Sequence, residues 1–475
     1  MQPRKNSCRL ILFILILIVP DTLWAEGQSP AYSTEGSKAV LDFDGLELLD
    51  LKTAQRYAIA QNPTIEAAHE RIKQARQQIL QARSRYWFRV DADVTARHKR
   101  FSDSSRETGN VSGSGSSLGQ TGGIPAQEDF YDVALVATYT LFDGFDRKFS
   151  NLAARYREKS SREALLDLQR LLLAAVAESY YQAQLQKANV AIAEADKSFN
   201  QRQATEAKAR RRVGTGSLSD VLNFEVQVNT AQTNLLLAQR EYEIALYGLA
   251  ALLGIPGAAM PSGLELEELR DSTDEELMAP YAETLIQYAE KHRPDVLQAG
   301  FLIQEADSRV GSAKSEFYPQ IDLFASLDGA RTDNPRLEQD NFGHSVGFML
   351  TYNIFAGGLN RAQLSEARSR KKEIQNLYRD TLINVRGEVR ESVTQVLLAQ
   401  EQLVLQRAST DLSQQNRDLV EKEYNAGQAS LVRLNEAQRD LTTAQSRLVL
   451  SLVALRRAWK NLEAATGEIL VPYLK

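Results

Sequence analysis

The chain has 475 residues, with 56 Lys and Arg against 61 Asp and Glu and a formal charge of -5. That balance argues against a nucleic-acid partner, which needs a basic surface. The one cysteine, Cys8, rules out a disulfide framework.

Arg4, Lys5 and Arg9 stand before the apolar run Leu10 to Val19, with a cleavage point after Ala25, so residues 1–25 read as a signal peptide. Losing Arg4, Lys5, Arg9 and Asp21 takes the charge from -5 to -7. Cys8 precedes the apolar run, so no lipoprotein anchor is expected. The run is too short to span a bilayer, and no later segment approaches the roughly 20 apolar residues of a membrane helix. Any passage through a membrane is therefore expected to be by β-strands.

Beyond residue 25 the chain is an internal duplication. Adding 231 carries Pro63, Ser84 and Asp91 onto Pro294, Ser315 and Asp322, and adding 213 carries Phe142, Gly144, Gly214, Ser217 and Gly254 onto Phe355, Gly357, Gly427, Ser430 and Gly467. The 18-residue difference falls where the first half carries the Ser/Gly-rich insert Gly109 to Gly123, the mark of an exposed loop. The repeats are 26–255 and 281–466, joined by a linker over 256–280 and followed by a tail over 467–475. In the first, a helix over 64–86 leads to strands over 89–99 and 130–142, a helix over 147–213, a break at Gly214 and a helix over 217–252. The second gives strands over 320–330 and 342–355, a helix over 360–426, a break at Gly427 and a helix over 430–465.

The two long helices have 67 residues each, contain no proline and would be about 100 Å long, more than a compact domain accommodates. After the breaks, large and small residues alternate at a 3.5-residue period, as in Val221, Phe224, Val228, Ala231, Leu235 and in Leu434, Ala437, Leu441, Ala444, Leu448. That pattern is what knobs-into-holes packing needs. Helices 64–86 and 217–252 together have 59 residues, close to 67, and are expected to stack end to end beside the long helix.

The four strands have period two. Val346, Phe348, Leu350, Tyr352 and Ile354 alternate with Ser345, Gly347, Met349, Thr351 and Asn353, giving one greasy face. Their length suits a tilted bilayer crossing, and Trp87, Phe88, Phe130, Tyr131, Phe142, Phe317, Tyr318, Phe342 and Phe355 near the ends fit interfacial girdles. Four strands cannot close a barrel, and an open edge in lipid leaves backbone groups unsatisfied. Eight strands from two copies would fill with side chains, whereas twelve from three leave a lumen. The expected fold is an α+β membrane protein: a trimeric 12-stranded transmembrane β-barrel, four strands per chain, continued by a long α-helical barrel. The rival reading, a periplasmic coiled-coil adaptor or scaffold without a pore, predicts a water-soluble protein. It fits less well, because the helical hairpin occurs twice and starts directly from the long strands.

These features resemble the TolC family of outer-membrane efflux and secretion proteins over essentially the whole chain after residue 25. The matching points are Asn62-Pro63 and Arg293-Pro294, Phe142-Asp143-Gly144 and Phe355-Ala356-Gly357-Gly358, then Val213-Gly214-Thr215 with Ser217 and Asp220, and Tyr424-Asn425-Ala426-Gly427 with Ser430. The resemblance implies a homotrimer in the outer membrane extending into the periplasm. It also implies a periplasmic membrane-fusion adaptor and an inner-membrane pump of the RND or ABC class as partners, in efflux or type I secretion. It places Val213, Gly214, Thr215, Ala426, Gly427 and Gln428 at the adaptor-docking tip, and Asp220, Asn223, Arg433 and Glu436 at a periplasmic constriction. Arg433 departs from the family's acidic ring, and an Arg433–Glu436 link across subunits is expected to lock the tip shut. No catalytic site, cofactor or metal is expected: His69, His98, His292 and His344 are isolated, and Gly113-x-Gly115 lies in the insert instead of between a strand and a helix.

Overall fold

A computed structural model describes residues 47–102, 127–261 and 263–473. The signal peptide over 1–25 and the insert Gly109 to Gly123 lie outside the described residues. The chain runs β1 (Leu48–Leu49), α1 (Leu51–Gln61), α2 (Pro63–Ser84), β2 (Arg89–Arg100), β3 (Gln127–Asp143), α3 (Asp146–Arg212) and α4 (Leu218–Leu253). Then come β4 (Glu265–Leu266), α5 (Ala282–His292), α6 (Pro294–Ser315), β5 (Gln320–Thr332), β6 (Phe342–Thr351), α7 (Leu359–Asn425) and α8 (Leu431–Thr466).

The four long strands form one antiparallel sheet in the order β2-β3-β5-β6. The helices follow the same order: α2, α3, α6 and α7 pack side by side next to the sheet, and α4, α3, α8 and α7 do so beyond it. The long helices α3 and α7, 67 residues each, run through both levels. The shorter helices stack as α2 on α4 and α6 on α8. One free edge of this wall is β2 with α2 and α4, and the other is β6 with α7.

Both strand-to-helix turns use left-handed backbone, at Gly144 (φ 64°) and Phe145 (φ 73°) and at Gly357 (φ 59°) and Gly358 (φ 90°). At the first turn Gly144 is also crowded, since a Cβ would stand 2.5 Å from the carbonyl oxygen of Ser315. Arg147, buried here, donates to the Asp143 carboxylate at 2.9 Å and to the carbonyls of Thr140 (2.6 Å) and Arg85 (3.5 Å). Asn360 takes the equivalent place in the second repeat and donates to the Glu316 carbonyl at 2.9 Å.

The stacked joints have the same logic. The last carbonyls of a helix lack intrahelical donors. Asn62, which also caps α2 by accepting from Thr64 N, donates its amide to the Leu252 carbonyl of α4 at 2.9 Å. In the second repeat Arg293 donates to the Ala465 carbonyl of α8 at 2.8 Å, to both Asp295 carboxylate oxygens and to Glu388 at 2.7 Å. Burial pulls the Arg293 guanidinium down, but its bonds to Asp295 and Glu388 outweigh that and raise it above the usual arginine value. Burial would likewise raise Asp295; the Arg293 bond outweighs it and holds the carboxyl below the ordinary range.

Around the joints, β1 pairs in parallel with β4, and Tyr180 and Gln184 of α3 donate to the carbonyls of Leu49 and Glu267. Gln400 of α7 and Trp459 of α8 both donate to the Glu276 carbonyl, which straps the linker to the helices.

The apolar alternation buries as predicted along α4 and α8: Val221, Phe224, Ala231, Leu235, Leu434, Ala437, Leu441, Leu455 and Leu462 are all in the core. No helix among the described residues covers the greasy strand face, and Val94, Val346 and Phe348 are 72 to 76% exposed. Strand ends differ from expectation: β3, predicted over 130–142, runs Gln127–Asp143, β5, predicted over 320–330, runs to Thr332, and β6 stops short. Predicted over 342–355, β6 ends at Thr351, because Thr351 pairs with Gln320 and β5 begins there, so residues 352–355 have no strand to pair with. Among the described residues no helix is long and apolar enough to cross a membrane.

Candidate functional site

The glycine breaks lie at the far end of α3 and α7 from the sheet. At the first, Gly214 (φ 80°) lets its own N–H reach the Arg211 carbonyl and the Thr215 N–H reach the Arg210 carbonyl, both at 3.0 Å. At the second, Gly427 (φ 76°) does the same toward the carbonyls of Tyr424 (3.0 Å) and, through Gln428, Glu423 (2.8 Å). A Cβ at either glycine would touch nothing, so the positive φ alone selects glycine. Ser217 and Ser430 then cap α4 and α8. Val213, Gly214, Thr215, Ala426, Gly427 and Gln428 are all exposed at this tip.

Behind the turns, a buried cluster joins both repeats: Phe199, Ala204, Ala207, Val221, Phe224, Val420, Leu434 and Ala437. Tyr424 lies edge-on to Phe224 with centroids 6.2 Å apart, and the Arg210 guanidinium lies 5.3 Å from the Tyr424 ring. Arg210 also donates to the Asn425 amide oxygen at 2.6 Å, tying the end of α3 to the end of α7. Burial pushes the Tyr424 hydroxyl up, the Asp220 charge adds to this, and Arg210 opposes it.

The four predicted constriction residues fare differently. Asp220 is half-buried, and its charge helps to raise the Tyr424 hydroxyl. Asn223 accepts from the Asn435 amide at 2.8 Å, a link between α4 and α8. Arg433 makes no contact with Glu436 in the chain; its guanidinium stands 3.0 Å from Glu423, an ionic contact across the turn. Glu436 is exposed and has no ionic or hydrogen-bonding partner among the described residues. The expected Arg433–Glu436 link runs between subunits; within the chain, the antiparallel return of α8 along α7 brings Glu423 to Arg433.

Sequence reasoning missed Arg210 and Asn435 and named Tyr424 and Asn425 only as motif residues, because their roles depend on pairing between repeats. It also passed over a groove of about 530 Å³ between α3 and α4, lined by Lys208, Arg211, Arg212, Leu218, Val221, Leu222 and Glu225. The run Arg210-Arg211-Arg212 was its visible signal. Among the described residues no group of three or more His, Cys, Asp or Glu is placed to hold a metal.

Residues 56–255 and 285–468 match the family described as outer membrane efflux protein. The probable efflux pump outer membrane protein TtgC of Pseudomonas putida is 29% identical over 316 residues, which are 65% of this chain and 63% of that protein. The match thus spans slightly less than two thirds of that relative. Among solved structures, a membrane protein from Pseudomonas aeruginosa superimposes with a TM-score of 0.73 at 21% identity, covering 88% of this chain and 93% of the other. The outer membrane protein VceC of Vibrio cholerae gives 0.71 at 20% identity, covering 88% and 96%. At these identities the two structures establish a shared fold.

Proposed function

The chain belongs to the outer membrane efflux protein family, and we propose that it is the outer-membrane exit duct of a tripartite efflux pump or type I secretion system, closed by three copies. The observation that carries this reading is the matched pair of free edges. β2 and β6 each leave one side of the sheet unpaired, and in lipid every such N–H and C=O would cost several kcal/mol. The helical edges beside them carry exposed apolar side chains, Val226, Leu237 and Ile244 on α4 and Leu405, Leu412 and Leu419 on α7. A seam between copies would cover both kinds of edge at once. Three copies give twelve strands, enough to leave a lumen.

In this reading the greasy strand face meets outer-membrane lipid and the helices extend into the periplasm. Val213, Gly214, Thr215, Ala426, Gly427 and Gln428 meet a periplasmic adaptor, and an inner-membrane pump of the RND or ABC class drives the cargo. The duct itself is passive and performs no reaction. Asp220, Asn223, Arg433 and Glu436 ring the narrowest part, and the Arg433–Glu423 contact holds α8 against α7 in the closed state.

The test is extraction and conductance. The protein should leave membranes only with detergent, have the mass of three chains, and pass ions across a planar bilayer. A monomer that stays in solution without detergent, as an adaptor or scaffold would, sinks the proposal.

A further inference from the structure

Next to the sheet, the seam between α6 and α7 carries a groove of about 460 Å³ whose lining holds four cations, Lys314, Arg368, Lys371 and Lys372, against one acid, Asp307. Lys371 and Asp307 clasp the two helices at 2.6 Å. Subtracting 213 and 231 turns that pair into Glu158 and Arg76 of the first repeat, again a contact between helices, at 3.5 Å, but with the polarity reversed. The same offsets turn Lys314, Arg368 and Lys372 into Arg83, Arg155 and Lys159, so these three places are basic in both repeats. The clasp needs only opposite signs; a separate demand keeps the sign of the other three. Lys314, Arg368 and Lys372 are exposed and have no ionic or hydrogen-bonding side-chain partner among the described residues.

Helical register shows which way the groove opens. Arg386 of α7 pairs with Glu290 of α5, and Arg368 stands 18 residues before it, about five turns, on the same face. In the first repeat Arg155 and Lys159 stand 25 residues, about seven turns, before Tyr180 and Gln184, which hold β1 and the linker. A closed wall has room for that extra layer only outside, so both basic sets face outward. Lys314 is one turn before the exposed girdle residues Phe317 and Tyr318. Side chains lean toward the N-terminus of their helix; α7 begins at the sheet and α6 ends there, so Arg368 and Lys372 lean toward the membrane surface and Lys314 leans into the groove.

We infer that this groove binds the phosphate of an anionic phospholipid in the periplasmic leaflet, with the acyl chains lying along the girdle. Each unpaired cation at such a surface adds to the attraction, and the set lies within or just beyond the reach of the surface charge. The inference rests on the reading of the strands as membrane-spanning, and it adds the class of lipid that collars the duct.

The test reconstitutes full-length protein in nanodiscs of phosphatidylcholine with a minority of phosphatidylglycerol, then counts the lipids each released assembly retains by native mass spectrometry. Wild type should retain phosphatidylglycerol about tenfold above its share of the bilayer at low salt, an excess that shrinks at about 0.5 M salt. The triple variant Lys314→Gln, Arg368→Gln, Lys372→Gln should lose about half of the excess, and adding Arg83→Gln, Arg155→Gln and Lys159→Gln should abolish it. Assembly of each variant is checked by its mass in detergent; if the triple variant fails to assemble, Arg368→Gln alone should still lower the excess. No excess in wild type, or an excess that the substitutions leave unchanged, overturns the inference. So does displacement of the lipid by soluble glycerol phosphate or by peptidoglycan fragments, which would make one of those the occupant. Bilayer conductance of wild type is measured in parallel. A phosphatidylglycerol excess without conductance removes the duct and keeps the lipid site, whereas conductance without the excess removes only the lipid site.

Discussion

At the sheet-side turn of the first repeat Arg147 reaches the carbonyl of Arg85, and at the matching place in the second Asn360 reaches that of Glu316. At the stacked joint the assignment is crossed: Asn62 serves the Leu252 carbonyl in the first repeat and Arg293 serves that of Ala465 in the second. Duplication has preserved the backbone acceptor that needs a donor while leaving the donor's identity free. The choice matters energetically. An asparagine is satisfied by neutral partners, whereas a buried arginine requires acids, here Asp143 for Arg147 and Asp295 with Glu388 for Arg293.

Deleting the two joint donors in turn puts this asymmetry to its most severe test. Arg293→Ala removes the hydrogen-bonded cation of Asp295 and Glu388, leaving only the more distant Arg170, 4.0 Å from Glu388, and should cost about 3–5 kcal/mol in chemical unfolding. Asn62→Ala removes one amide bond and a helix cap and should cost about 1–2 kcal/mol. Equal losses would mean that the ionic joint has no special weight. Next come the glycines. Gly254→Ala places a Cβ 3.0 Å from the Gln61 carbonyl oxygen at φ 78°, while Gly214→Ala meets only the backbone penalty of about 1–2 kcal/mol. The first should therefore lower the melting temperature more than the second.

A pH series separates the ionic joint from the neutral one. Asp295 is held below its ordinary value of about 3.9, so the stability it contributes is present above that pH and is lost as pH falls through its folded value. Wild type should melt progressively lower on acidification below about pH 4. Asp295→Asn should be less stable at neutral pH and show a flatter acid limb. The smallest effect on stability belongs to the Arg433–Glu423 pair, in which the arginine is exposed and the glutamate half-buried, within about 1 kcal/mol for Arg433→Ala. That variant should nevertheless raise single-channel open probability, and an unchanged value would remove the closed-state role of the pair.

Much of the fold was legible because period, proline and glycine are local signals. The long helices, expected over 147–213 and 360–426, run one residue earlier at each end, as Asp146–Arg212 and Leu359–Asn425. The end of β6 was not legible, since it is set by where β5 begins. Partners of charged residues were the least legible. Arg293 finds Glu388 at a separation of 95 residues and Ala465 at 172, distances at which no periodicity operates. The tip showed the same limit, where Arg433 found Glu423 across the turn and the basic groove of Lys208, Arg211 and Arg212 went unread.

Each strand of the sheet continues into one helix of the wall, and that one-to-one count governs calibre. In the proposed trimer, twelve strands about 4.8 Å apart and tilted near 40° would enclose a ring about 24 Å across between backbones. Twelve helices about 10 Å apart would describe one about 39 Å across. The left-handed turns at Gly144–Phe145 and Gly357–Gly358 would absorb that step in width. In the proposed trimer the sheet would therefore impose a second limit on cargo size, beyond the constriction at the helical tip.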